Sequence, residues 1–107
     1  MNYTVRFTET AKSDLREIAF YLADRSKEPA IAKGFVLELR ETCHRLQALP
    51  AQGALPKDRI LRSMGYRYIT HKGYLIFYLA DEQAHTVDIM AIFHEKQDYI
   101  RVMRKYI

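Results

Sequence analysis

Alternating apolar and polar side chains open the chain. Tyr3, Val5 and Phe7 fall on one side and Thr4 and Arg6 on the other, which predicts a strand with one buried face over about residues 2–7. Thr8 suits an N-cap. Ala11, Leu15, Ile18, Ala19 and Leu22 then recur at helical spacing with no glycine or proline before Pro29, so an amphipathic helix is expected over 9–25. After a turn at 26–29 a second helix carries Ala32, Phe35, Val36, Leu39, Cys43 and Leu46 on one face, and it ends near Leu49 because Pro50 follows. A connection this short folds two helices into an antiparallel hairpin.

Residues 50–57, punctuated by Pro50, Gly53 and Pro56, break the helical pattern and mark the change from helices to sheet. Beyond them, three runs rich in Ile, Tyr, Phe and Val, at about 60–71, 74–81 and 86–94, are separated only by the turns at 71–73 and 81–85. Strands joined so tightly pair mainly antiparallel, and the first strand adds to them only after the chain has crossed over the helix pair. The expected fold is therefore α+β: a β-α-α-β-β-β order with an antiparallel-dominated sheet on an α-hairpin, and a short C-terminal helix over 98–106 where Ile100, Met103 and Tyr106 keep one apolar side.

Period-two alternation puts Arg67, Ile69 and His71 on one face of their strand and Tyr66, Tyr68 and Thr70 on the other. In the next strand Tyr74, Ile76 and Tyr78 oppose Leu75, Phe77 and Leu79. In the last, Asp88, Met90, Ile92 and His94 oppose Val87, Ile89, Ala91 and Phe93. One side of the sheet is expected to pack on the helices and the other to carry polar groups.

Composition narrows this picture. With 107 residues and 49% apolar side chains, the chain suits one hydrophobic core, so residues 1–107 are read as a single domain. Cys43 is the sole cysteine and excludes an internal disulfide; on the apolar helix face it is read as packing. No charged-then-apolar leader opens the chain, and the longest apolar run, 74–80, is strand-sized, so a cytoplasmic protein with no membrane partner is expected. The net charge of +4 is matched by residues 57–74 alone, where Lys57, Arg59, Arg62, Arg67 and Lys72 face only Asp58 and interleave with Tyr66, Tyr68, His71 and Tyr74. That is the make-up of a surface that meets phosphates or nucleic acid, and equally of a solvated loop and strand edge.

Together these residues carry a pattern. Val5-Arg6-Phe7-Thr8 leads into Ala11, Asp14-Leu15, Ile18 and Tyr21. Pro29-Ala30, Phe35, Leu39, Leu46, Pro50 and Gly53 follow, then Gly73-Tyr74-Leu75-Ile76-Phe77-Tyr78, Val87-Asp88-Ile89, Ile92-Phe93-His94 and Asp98-Tyr99. Order and spacing resemble those of RelE/ParE-superfamily toxins over nearly the whole chain. The resemblance implies a toxin of a type II toxin–antitoxin system, masked by a cognate antitoxin. RelE-type members cut mRNA in the ribosomal A site with basic and aromatic side chains; ParE-type plasmid-stabilisation toxins poison DNA gyrase.

A metal-free ribonuclease must activate a 2′-hydroxyl, stabilise a charged transition state and protonate the leaving oxygen, which suits His, Lys, Arg and Tyr. The catalytic candidates are His94, His71 and Arg67; the substrate-binding candidates are Arg62 and Lys72 for phosphate and Tyr99 for stacking on a base. His94 fits the His-then-Asp-Tyr ending of the superfamily's last strand, the bland alternative being a strand-end histidine capped by Asp98. The two histidines tip the expectation towards a ribosome-dependent mRNA endoribonuclease acting on ribosome-bound message. Leu75, standing where many nuclease members have arginine, and the Tyr-Leu-Ile-Phe-Tyr run lean towards the gyrase-poison branch. A plain nucleic-acid-binding module using 57–74 is the third reading. His44, His71, His85 and His94 have no ligand spacing, so neither a metal nor another cofactor is expected.

Overall fold

The computed structural model describes residues 2–107. Strand β1 (Thr4–Phe7) hands directly to helix α1 (Glu9–Ser26), because the Thr8 hydroxyl accepts the Ala11 N–H at 3.1 Å and so satisfies an otherwise unpaired first-turn donor. Lys27, left-handed at φ 60°, closes α1 with its N–H on the Ala23 carbonyl. Pro29 then sits in the first turn of α2 (Pro29–His44), where its missing N–H costs nothing. A 3-10 turn, Arg45–Gln47, ends the helical pair just before Pro50.

After the loop come α3 (Arg59–Ser63), β2 (Arg67–His71), β3 (Tyr74–Asp81), β4 (Thr86–His94) and α4 (Tyr99–Met103), with a last 3-10 turn over Arg104–Tyr106. The sheet order is β1-β4-β3-β2. The β2, β3 and β4 strands pair antiparallel, while β1 lies parallel to β4, with Thr4 opposite Thr86 and Phe7 opposite Ile89. Arg6 reaches Asp88, its register partner, through bonds of 2.8 and 3.1 Å, which raises the Arg6 pKa and marks the register on the exposed face. Between β2 and β3, Lys72 (φ 46°) and Gly73 (φ 88°) are both left-handed, as a two-residue hairpin turn of the right twist demands. No helix among the described residues is long and apolar enough to cross a membrane.

The inner face of the sheet packs on the α-hairpin. Ala11, Leu15 and Ile18 of α1 and Leu39, Cys43 and Leu46 beyond them close over Tyr74, Ile76, Tyr78, Val87, Ile89 and Ile92. Cys43 is wholly buried and burial pushes its thiol up to about 12, so packing is the role the structure gives it.

Three expectations are corrected here. The run 60–71 is not one strand: the Asp58 carboxylate accepts the Leu61 N–H at 3.0 Å, starts a five-residue helix, and only after Gly65 (φ 95°) does β2 begin. Strict alternation fails in β4, because Phe77 pairs with Ala91 and Tyr78 with Ile89, leaving Met90 as an extra residue; the bulge lets Ile89 and Ile92 share the inner face. The outer face is not polar. Leu61, Tyr66, Phe77, Ala91, Phe93 and Met103 form a second apolar cluster there, covered by α3 and α4.

Candidate functional site

The β2–β3 turn and the end of β4 bring the expected residues His71, Lys72 and His94 to one end of the sheet. His71 pairs with Tyr74 and Tyr74 with His94, so the three side chains stand side by side across neighbouring strands. Helix α2 leans on this row, with the Phe35 ring 5.8 Å from His71 and 5.4 Å from Tyr74. Glu38, one turn further along α2, places a single carboxylate oxygen 3.0 Å from His71 Nε2 and 2.9 Å from Lys72 Nζ. Lys72 first and His71 second hold the Glu38 carboxyl below its ordinary range. The other ring nitrogen of His71, Nδ1, lies 3.2 Å from the Thr42 hydroxyl. Both nitrogens of this ring are thus engaged by α2.

His94 is bound less tightly. Its Nδ1 accepts the Lys96 N–H at 3.1 Å, so the proton of the neutral ring sits on Nε2, and its ring meets Tyr74 edge-on at 5.2 Å. Asp98 does not cap it: that carboxylate accepts the Ile100 and Arg101 N–H groups and starts α4. His94 lines a cleft of about 700 Å³ between α1 and the C-terminal segment. Asp14 and Glu17 stand on its α1 wall, and Lys96, Arg101 and Lys105 on the other. Burial raises the Asp14 pKa, an effect partly offset by the Ile92 N–H that Oδ2 accepts at 2.9 Å.

The remaining expected residues lie elsewhere. Arg67, at the far end of β2 and so about 13 Å from His71 along the strand, donates to the Gly53 carbonyl at 2.9 Å. There it joins Tyr78, whose hydroxyl donates to the Pro50 carbonyl at 2.7 Å and accepts the Gly53 N–H at 3.0 Å. Arg67 and Tyr78 together pin the loop that follows the hairpin. Tyr99 is on the opposite side of the sheet: its ring stacks on Phe77 at 5.8 Å and 13°, and its hydroxyl accepts the Asp58 N–H at 3.1 Å. Arg62 donates through Nε to the Pro56 carbonyl at 3.0 Å.

Sequence reasoning missed Glu38 and Thr42, which sit one turn apart on α2 beside its apolar face, a position that points towards the sheet but gives no chemical sign of which strand residue it meets. It also missed a groove of about 390 Å³ on the outside of the hairpin, where Ala19, Phe20, Ala23, Val36 and Leu37 lie between Arg16, Lys33 and Arg40. Phe20 is 78% exposed and Leu37 51%. The available signal was that both fall off the buried stripes of their helices, leaving large apolar side chains with no place in the core. Among the described residues, no group of three or more His, Cys, Asp or Glu is placed to hold a metal ion.

The model of the family described as the ParE toxin of type II toxin–antitoxin systems, parDE, matches residues 5–99. No curated protein sequence matches the chain. Among solved structures it is similar to the toxin–antitoxin complex RelBE2 from Mycobacterium tuberculosis, at 26% identity and TM-score 0.66 over 91% of this chain and 95% of that one. It is also similar to the chromosomal ParDE system from P. aeruginosa, at 20% identity and TM-score 0.71 over 86% and 95%. The isolated E. coli RelE toxin is 13% identical, with TM-score 0.58 over 98% and 99%. The last two likenesses speak for the fold.

Proposed function

Because the chain belongs to the family of ParE toxins of type II toxin–antitoxin systems, we propose that it arrests growth by binding and poisoning DNA gyrase rather than by cutting message on the ribosome. The observation that carries this choice is the fate of the six side chains that were candidates for a cut. Each makes a bond within the chain, and they are divided between the hairpin side and the aromatic side of the sheet. General acid–base chemistry on a single phosphodiester needs its donors and acceptors convergent on the reacting atoms. His71 and Lys72 are held on Glu38, Arg67 on the Gly53 carbonyl and Tyr99 on Phe77, so these four serve the fold, and His94, engaged only through Nδ1, stands on the cleft without them.

Purified wild-type protein is expected to inhibit gyrase supercoiling, and His94→Ala to inhibit it as well. Primer extension on translated message is expected to show no cuts. Cuts that appear with the wild type and vanish with His94→Ala, a loss of roughly 10²–10⁴-fold in rate for a proton-transfer group, would overturn this reading in favour of the ribosome-dependent nuclease. The setting of either action is the cytoplasm.

The partner is a cognate antitoxin, which we seat in the hairpin groove. An apolar floor edged by Arg16, Lys33 and Arg40 suits an acidic amphipathic segment that orders on binding. Phe20→Asp combined with Leu37→Asp is expected to weaken antitoxin binding about 100-fold or more, as removal of central apolar anchors does, while the toxin still arrests growth. Calorimetric titration and co-expression check this together. Full rescue of the double variant by the antitoxin would place the seat elsewhere.

A further inference from the structure

We propose that the α3 turn is the surface by which this toxin holds its target, and that the target offers it an acidic, partly apolar protein patch. The inference rests on the protein-target reading above. Helix α3 points its faces in opposite directions. Leu61 is wholly buried in the aromatic cluster with Phe77 and Phe93, whereas Ile60 and Met64, one turn apart, are 53% and 42% exposed. Leu55, just before the turn, is exposed as well. The burial of Leu61 anchors the turn on the core, so the outward pair is presented by a fixed element and not by a free loop.

The charge around the pair is one-sided. Lys57, Arg59 and Arg62 are exposed, and the only acid of the segment, Asp58, spends its carboxylate on the Leu61 N–H. No ion pair forms within residues 57–64 among the described residues. Apolar side chains ringed by uncompensated cations fit an acidic rim around an apolar centre. A protein partner is favoured over RNA because no aromatic ring is exposed in this segment for a base to stack on: Tyr66 is buried and Tyr68 leans on Phe77.

Helix α3 covers the sheet face opposite the α-hairpin, so this surface and the antitoxin groove lie on different sides of the molecule. The two surfaces are therefore separable by mutation.

The test uses the full chain carrying Ile60→Asp with Met64→Asp, and a second variant carrying Lys57→Glu with Arg59→Glu. Three readouts are followed: growth arrest on induced expression, gyrase supercoiling, and antitoxin binding. Both variants are expected to raise the concentration needed for half-inhibition of supercoiling by roughly 10-fold to 30-fold, to lose growth arrest, and to bind antitoxin as the wild type does. Growth arrest undiminished in both variants overturns the proposal whatever the target is. Loss of antitoxin binding along with arrest overturns the separation of the two surfaces. A wild type that arrests growth without touching gyrase removes the gyrase reading and leaves the surface to be judged on arrest alone. Message cutting by the wild type that the charge-reversed variant loses would make the patch an RNA contact and overturn the protein-partner proposal.

Discussion

Phe77→Ala is expected to destabilise the fold by about 3–5 kcal/mol, the usual cost of deleting a buried aromatic side chain. Phe77 is the centre of the outer cluster. It lies parallel to Phe93 at 5.6 Å and to Tyr99 at 5.8 Å, stacks on Tyr68 at 5.3 Å, and meets Tyr66 edge-on at 6.4 Å. It is 1% exposed, so its removal opens a cavity that water does not fill usefully. The support under Tyr99 goes with it, and with that the bond from Tyr99 to the Asp58 N–H that ties α4 to α3. Domains of this size hold a net stability of about 5–15 kcal/mol, so the variant is expected near the edge of folding, with a lowered urea midpoint and an unchanged slope. Phe77→Leu, which keeps most of the volume, is expected to cost less than half as much. A Phe77→Ala cost below about 1 kcal/mol would show that α3 and α4 do not depend on the stack.

Gly53→Ala is expected to cost about 3 kcal/mol, through overpacking together with lost hydrogen bonds. A Cβ there would stand 2.5 Å from the Tyr78 hydroxyl and 2.9 Å from the Tyr68 carbonyl. Neither neighbour yields cheaply. The hydroxyl is fixed by Pro50 and by Gly53 itself, and the carbonyl accepts the Ala54 N–H at 2.8 Å. The hydrogen bonds of Arg67 and Tyr78 to this loop therefore loosen together. Tyr78→Phe removes the nearest obstructing atom, so the double variant Gly53→Ala, Tyr78→Phe is expected to be clearly less destabilised than the two single costs added. Thermal unfolding of all three measures the coupling; strict additivity would mean that the loop moves aside without disturbing Tyr78.

The helices and the last two strands were legible because each shows a long unbroken period: Ala11, Leu15, Ile18 and Leu22 at helical spacing, and the strands at 74–81 and 86–94 bounded by turn residues. Helix α3 was not, since five residues hold little more than one turn and Ile60-Leu61 reads as well in a strand. The bulge at Met90 was hidden for a related reason. In a strand buried on both sides, apolar residues occupy both faces, and a one-residue shift leaves the pattern intact. Tyr66, Tyr68, Phe77 and Phe93 were visible as strand residues, yet the cover that Tyr99 and Met103 give them comes from the C-terminal segment returning over the sheet. For the site, residue types were legible and partners were not. His71, Lys72 and Arg67 carry the right chemistry for nucleic acid, and nothing local in sequence says that Glu38, 33 positions away from His71, and Gly53 take up their polar atoms.

The parallel pairing of β1 with β4 also orders the making of this protein in time. Arg6 and Asp88 are 82 positions apart, so the first strand to be synthesised waits for the last before it can join a sheet. The α-hairpin needs no such wait, because its helices follow one another directly and meet through local contacts that close quickly. In a nascent chain the helix–helix contacts are therefore available before any sheet contact of β1, and the sheet is complete only when β4 has left the ribosome and β1 has docked on it.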